Sequence, residues 1–288
     1  TDVPVDGPLP RVRVRPSYLR EFETTDVEEV GDLDALADLV APGGVVVLSG
    51  AGISTESGIP DYRGPQGALR RHAPMTYQEF TGSPEGRQRY WARSFVGWRH
   101  VNKAEPNAGH RAVARLEAGG VVSGVVTQNV DGLHQAAGSR EVIELHGSLH
   151  EVGCLVCGAL ERRDDVQARL VTLNPGFGDR AVEMAPDGDA ELPAPLVDGF
   201  QLADCLACGG PLKPRVVFFG ENVARELVES AYAAVEQGTA LLVVGSSLAV
   251  FSGYRFLLRA VERGIPVALV NLGGARGDDR CAVRVEAR

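Results

Sequence analysis

The stretch VVVLSGAGISTESGIPDYR, Val45–Arg63, decides how the rest of the chain reads. Val45-Val46-Val47-Leu48 is an aliphatic run without polar alternation, the pattern of a strand buried on both faces of a parallel sheet. It stops abruptly at Ser49-Gly50-Ala51-Gly52, so the spacing predicts a strand, a glycine turn and a helix in succession. Glycine tolerates positive φ and lets backbone N–H groups come close to a phosphate. The start of the next helix presents unpaired N–H groups and a partial positive charge to an anion. The dinucleotide fingerprint Gly-x-Gly-x-x-Gly is only partly met: Gly50 and Gly52 fit, but Thr55 stands at the third position. Ser54, Thr55 and Ser57 place hydroxyls near the turn, and Ile59-Pro60-Asp61-Tyr62-Arg63 interrupts any helix at Pro60. Asp61 and Arg63 read as ligand contacts or as a surface ion pair on a loop.

Outward from this stretch, strands and helices alternate. Leu33, Leu36, Ala37, Leu39 and Val40 are spaced for an amphipathic helix that leads into the first strand. Helical character returns after Gly64–Gly67 and runs to about Leu116; within it Trp91, Phe95 and Trp98 share one face, the pattern of core packing. Val121–Val126 is the next strand-like run, capped by Thr127-Gln128-Asn129-Val130-Asp131. Polar residues directly after an apolar strand lie where open α/β sheets bind ligands. Asn129 and Asp131 read equally well as caps of a helix over Gly132–Ala137. Val142–Leu145 leads into His146-Gly147, a histidine placed for general-base work near neutral pH; on these residues alone a structural histidine is the preferred reading. Lys213–Glu221 has strand character and ends in a glycine turn, and Ala224–Gln237 is helical. Leu241–Val244 and Ile265–Val270 are buried strands ending in Gly245-Ser246-Ser247 and Asn271-Leu272-Gly273. This order gives an α/β class with a Rossmann-like, doubly wound parallel sheet.

With 288 residues and 44% hydrophobic content, the chain is long enough for one large domain and a smaller one. A net charge of −9 argues against a duplex nucleic-acid binder, and no apolar run reaches the roughly 18 residues of a membrane span. No secretory leader is read at the N-terminus. Basic residues are nearly all arginine, Lys103 and Lys213 being the only lysines, which points to a bacterial genome; with no secretory leader read, a cytoplasmic location is expected.

Cys154-x-x-Cys157 and Cys205-x-x-Cys208, each followed by glycine, form two knuckles of a tetrahedral thiolate site for zinc. Four thiolates close the shell, so the metal is expected to be structural. Between the pairs, Asn174–Gly178 and Ala185–Asp189 read as loop, and loops this long tend to be functional or disordered.

Taken together, these residues resemble the sirtuin family of NAD-dependent protein-lysine deacylases. The matching pieces are GAGIS at Gly50–Ser54, PDYR at Pro60–Arg63, TQNVD at Thr127–Asp131, LHG at Leu145–Gly147, both cysteine pairs, VVFFGE at Val216–Glu221, GSS at Gly245–Ser247 and Asn271. They stand in the family's order and cover roughly residues 30–288. STESGIPDYR, RYWARSFVGW at Arg89–Trp98, LNPGF at Leu173–Phe177, APDGD at Ala185–Asp189 and SGYRF at Ser252–Phe256 are similar to the class II branch, which includes the mitochondrial lipoamidase and ADP-ribosyltransferase sirtuin.

The resemblance implies an N-terminal extension over 1–25 and a catalytic domain over 26–288. Rossmann-like parts at about 26–66, 118–150 and 213–288 would carry a helical insertion at 67–117 and a zinc-binding insertion at 151–212. NAD would lie across the crevice, contacted by Gly50, Ala51, Gly52, Ser54, Ser57, Ile59, Pro60, Asp61, Tyr62 and Arg63 from the first turn. Gln128, Asn129, Val130, Asp131, His146, Gly245, Ser246, Ser247, Asn271, Leu272 and Gly273 would complete the cofactor site. The resemblance makes His146 and Asn129 catalytic: the acyl-lysine oxygen attacks the ribose carbon as nicotinamide leaves, and His146 then takes a proton from a ribose hydroxyl. Val217, Phe218, Phe219, Gly220 and Glu221 would pair with substrate backbone. The desuccinylating branch carries a Tyr-x-x-Arg pair where this chain reads Gly67-Ala68-Leu69-Arg70-Arg71, so strong desuccinylation is not expected. Residues 170–195 are expected to shape the acyl channel. Mono-ADP-ribosyl transfer to proteins, and a non-catalytic zinc module that binds NAD or ADP-ribose, are the competing readings.

Overall fold

The computed structural model describes residues 30–62, 74–177, 192 and 197–287. The extension at 1–25, Arg63, Arg70 and Arg71, Ala185–Asp189 and most of the insert proposed to shape the acyl channel lie outside the described residues.

Among the described residues, seven strands form the main sheet: β1 (Val30–Gly31), β2 (Val45–Ser49), β3 (Val122–Thr127), β4 (Val142–Glu144), β8 (Ala240–Val244), β9 (Val267–Val270) and β10 (Val283–Glu286). Their order is β1-β10-β9-β8-β2-β3-β4. All pairings are parallel except β1 with β10. The unbroken apolar run becomes the central strand: every residue of β2 is buried, because helices cover both faces of a parallel sheet. Val45 and Val47 face one apolar cluster, Val46 and Leu48 the other. Each such side chain contributes roughly 1.5–3 kcal/mol by leaving water. The last buried strand is shorter than its sequence suggests: Pro266 has no N–H to give the ladder, and β9 begins at Val267.

From β2 the chain moves to β3 and β4 on one side, then returns to β8 on the other. The strand order therefore reverses between β2 and β8, and the crevice of an open α/β sheet opens at such a switch point.

A second sheet, β6 (Leu160–Arg162), β5 (Gly147–Cys154) and β7 (Leu212–Val216), is antiparallel. Lys213–Glu221 was expected to rejoin the Rossmann-like part. Instead its strand stops at Val216 and pairs with β5 in the small sheet. Helices α2 (Tyr77–Gly82), α3 (Pro84–Val101) and α6 (Arg163–Leu173) enclose this module. Helix α3 starts where Ser83 accepts from Gly86 N–H and Pro84 fills the first turn. Its Trp91, Phe95 and Trp98 are core residues, as their spacing predicts. The buried Arg163 guanidinium lies 5.2 Å from the ring centroid of Trp91 and 5.1 Å from that of Trp98. Each indole N–H is spent on the same module, Trp91 on Leu212 O and Trp98 on Asp164 Oδ1, both at 3.0 Å.

Candidate active site

The turn after β2 departs from its expected form in two ways. The following helix is a 3₁₀ helix over Ala51–Ser57, and Gly50 is extended at φ −137°. Positive φ is not the reason for glycine at Gly50, and the N–H groups of Gly50 and Gly52 donate to Val244 O at 3.1 Å and Gly245 O at 2.8 Å. The glycines are required by close approach instead. A Cβ on Gly50 would stand 2.7 Å from Ser246 Cβ, and one on Gly52 2.7 Å from Gly245 O. The turns after β2 and β8 are thus locked together across the switch point, and Gln128 Nε2 joins them by donating to Ser246 Oγ at 2.8 Å.

Below this junction lies a buried polar network. Ser54 Oγ donates to Asp131 Oδ2 at 2.7 Å and accepts from Asn129 Nδ2 at 3.0 Å. Asp131 Oδ1 accepts from Leu133 N–H at 3.0 Å at the start of α5 (Leu133–Ala136), the kind of bond the capping reading expects, while Oδ2 faces Ser54. His110, on α4 (Ala108–Ala118), reaches Ser54 Oγ at 3.4 Å, and His134 Nε2 reaches Ser49 Oγ at 2.8 Å. Asn107 ties the 3₁₀ helix to α4 by donating to Ile53 O at 2.6 Å. Sequence reading missed Asn107, His110 and His134, because nothing in local spacing links positions on separate helices to Ser54.

Burial favours the neutral form of both histidines in this network. It pushes His134 down to about 3, with the neighbouring His110 adding to the effect. Burial also lowers His110, opposed by the Asp131 charge. His134 binds its proton near pH 6.5 in the unfolded chain but only near 3 in the fold. Its contribution to stability is therefore intact above pH 6.5 and is lost as pH falls toward 3. At pH 5 this one group removes about 2 kcal/mol. Urea unfolding at pH 7.5 and pH 5 measures the effect; equal midpoints would contradict it.

His146 follows β4 and opens β5. Its Nδ1 lies 2.9 Å from the Gln128 carbonyl oxygen and its Nε2 2.8 Å from Ser252 Oγ. A carbonyl only accepts, so Nδ1 carries the ring proton. Burial lowers the pKa of His146, the Gln128 bond partly offsets this, and the Arg255 charge lowers it further. The ring is neutral at pH 7, with its basic nitrogen at Nε2.

The expected substrate segment, Val217–Glu221, is tied at its start to His146, whose carbonyl accepts from Val217 N–H at 2.8 Å. Phe218 N–H donates to Glu221 Oε2, and Phe219 O accepts from Tyr77 N–H at 2.9 Å. Gly220 turns the chain at φ +80°. Lys213 Nζ pairs with Glu221 at 3.0 Å and bonds Val216 O at 2.6 Å. Tyr62 meets Phe219 edge to face at 5.9 Å, bringing the end of the first stretch to this segment. Asn271 follows β9 directly after Val270, whose carbonyl accepts from Gly245 N–H at 2.9 Å, and its Nδ2 is turned onto Gly273 O at 3.1 Å and Leu272 O at 3.3 Å.

The four cysteines converge: their sulfurs all lie within 4.8 Å of one another. Cys154 and Cys208 are 3.5 Å apart and Cys157 and Cys205 3.7 Å. Zinc–sulfur bonds of about 2.3 Å in a tetrahedron place sulfurs about 3.8 Å apart, so the quartet fits one ion. Val156 N–H points at the Cys154 sulfur, and with the Cys157 backbone it favours the thiolate there.

Comparison with known proteins agrees with this geometry. The Sir2 family model matches residues 50–252. The chain belongs to the Sir2 family. An NAD-dependent protein deacetylase 1 of Streptomyces coelicolor is 56% identical over 254 residues, covering 88% of this chain and 85% of that protein. The protein of the same name from Mycobacterium avium is 53% identical over 247 residues, covering 84% and 86%. Among solved structures, a Sir2 mutant with a deacetylated p53 peptide and 3'-O-acetyl ADP ribose has a TM-score of 0.70 at 31% identity, covering 88% of this chain and 92% of that one. The sirtuin fold expected from the motifs is thus the one observed. Among the described residues, no helix is long and apolar enough to cross a membrane.

Proposed function

We propose that this sirtuin removes acyl groups from protein lysines at the β2–β8 crevice, with NAD as co-substrate, in the bacterial cytoplasm. The observation that carries the reading is the His146 tautomer: Nδ1–H is held by the Gln128 carbonyl, which leaves Nε2 as the base. NAD bound at the strand ends supplies an electrophilic ribose carbon and a nicotinamide leaving group. Asn129 and Asp131, held by Ser54, would contact the nicotinamide ribose and its pocket. His146 would take the proton of a ribose hydroxyl at Nε2, so that the ribose oxygen can attack the acyl carbon. Val217–Glu221 would add a substrate strand by backbone pairing against the loop after Ser247. That loop contains Leu248, buried at φ +50°; a non-glycine residue in this region stores strain typical of ligand clamps.

The test is incubation with NAD and a mixed acyl-lysine peptide library, read by mass spectrometry. Free lysine and O-acyl-ADP-ribose in equal amounts support the reading, and the acyl chains removed define the channel. ADP-ribose fixed on protein without O-acyl-ADP-ribose would favour mono-ADP-ribosyl transfer instead. Absence of both products would leave the binding-module reading.

A further inference from the structure

Ser252 was noted only as part of SGYRF, with no role attached. It stands in the first turn of α8 (Phe251–Glu262), 106 residues from His146, and its Oγ lies 2.8 Å from His146 Nε2. With Nδ1–H committed to Gln128, the neutral ring offers one lone pair, at Nε2. Ser252 O–H donates to that lone pair, the one a base must use. A single lone pair does not accept two protons, so a substrate hydroxyl reaches it either after Ser252 has left or through Ser252.

The packing favours the second route. Gly253 sits against Gln128, where a Cβ would stand only 2.5 Å from Oε1. The start of α8 is therefore seated on the residue whose carbonyl orients the imidazole. Gln128 sets both ends of the bridge: its carbonyl fixes the ring and its side chain receives Gly253. Ser252 and His146 are only half-buried, so the bridge stays open to a ligand in the crevice.

We propose that Ser252 is a catalytic proton relay between the ribose hydroxyl and His146. This rests on the reading of His146 as the base. The ribose O–H bond breaks and its proton passes to Ser252 Oγ, while the proton of Ser252 passes to His146 Nε2. Ser252 ends neutral, as it began. His146 becomes imidazolium, and the electron pair left on the ribose oxygen forms the bond to the acyl carbon as the π pair of its double bond to the lysine nitrogen moves onto that nitrogen.

Four proteins test this: wild type, Ser252→Ala, Ser252→Thr and His146→Ala. In single turnovers with an acetyl-lysine peptide, Ser252→Ala slows O-acyl-ADP-ribose formation about 100-fold, at the low end of the range for lost proton transfer. Exchange of labelled nicotinamide, which precedes the transfer, stays near the wild-type rate. Ser252→Thr, which keeps the hydroxyl, restores most of the turnover. In histidine-ring ¹⁵N NMR of the free protein, the Nε2 resonance of His146 moves toward an unbonded imine nitrogen in Ser252→Ala and returns in Ser252→Thr. Rates in H₂O–D₂O mixtures bend for wild type, as two moving protons require, and become linear in Ser252→Ala. A linear wild-type plot, or Ser252→Ala at full rate with His146→Ala inactive, overturns the relay and leaves the base in place. His146→Ala at full rate overturns the base and the relay together.

Discussion

Replacing His146 by alanine is expected to lower O-acyl-ADP-ribose formation about 10³-fold, in the middle of the range for loss of a positioned general base. The size of the effect follows from the tautomer. The Gln128 carbonyl holds the proton on Nδ1, and burial with the Arg255 charge keeps the ring neutral. The basic nitrogen is thus fixed at Nε2 before substrate arrives. Nicotinamide exchange should survive, because it needs the ribose electrophile and not the base. Stability should fall by about 2 kcal/mol, since two hydrogen bonds are lost, to the Gln128 carbonyl and to Ser252, each worth about 1 kcal/mol. The pH profile sharpens the test. The wild-type acid limb should lie below the usual histidine value, since burial depresses the folded pKa. A His146→Ala protein with wild-type turnover would remove the base from the mechanism.

The amino-acid sequence exposed those features whose physical cause is local. β2 and β8 were legible because strands covered on both faces need continuous apolar runs. The cysteine quartet was legible because a knuckle is defined by its two-residue spacing. Trp91, Phe95 and Trp98 were legible because a helix puts i, i+4 and i+7 on one face. What stayed hidden depends on contacts between distant segments. Gly50 looked like a phosphate turn, but its lack of a side chain answers to Ser246, nearly two hundred positions away. β7 looked like a strand of the main sheet, since a short apolar run does not name its partner; its pairing with β5 decides the matter. His110 and His134, with ring centroids 5.0 Å apart, lie on different helices and carry no shared period. Ser252 carried no role in the sequence, because its partner His146 lies 106 positions away. The site's outline was therefore written in motifs, while its hydrogen-bonded floor was set by tertiary packing.

Removing zinc should cost this enzyme both stability and turnover, although a closed four-thiolate shell leaves the ion no catalytic position. The reason is the course of β5. It begins at Gly147, directly after His146, and ends at Cys154, a member of the quartet. At about 3.3 Å per residue, this one strand joins the metal to the base across about 25 Å. Its partner β7 runs from Leu212, shortly after Cys208, to Val216, and delivers Val217 to the His146 carbonyl. Cys154 and Cys205 also belong to the small module's apolar core. Without the ion, four sulfurs held within 4.8 Å lose what binds them, and the far ends of both strands are freed. Structural zinc contributes about 10–16 kcal/mol in small zinc modules at pH 7. Here the tryptophan–arginine core retains part of the module, so a fall in melting temperature of more than about 10 °C is expected rather than complete unfolding. Metal analysis should find one zinc per chain, and chelation under mild denaturant should release it together with deacylase activity. Cys157→Ser should act in the same direction, since it opens the shell at an exposed ligand. A protein stripped of zinc that kept its melting temperature and its turnover would show that β5 does not couple the two sites.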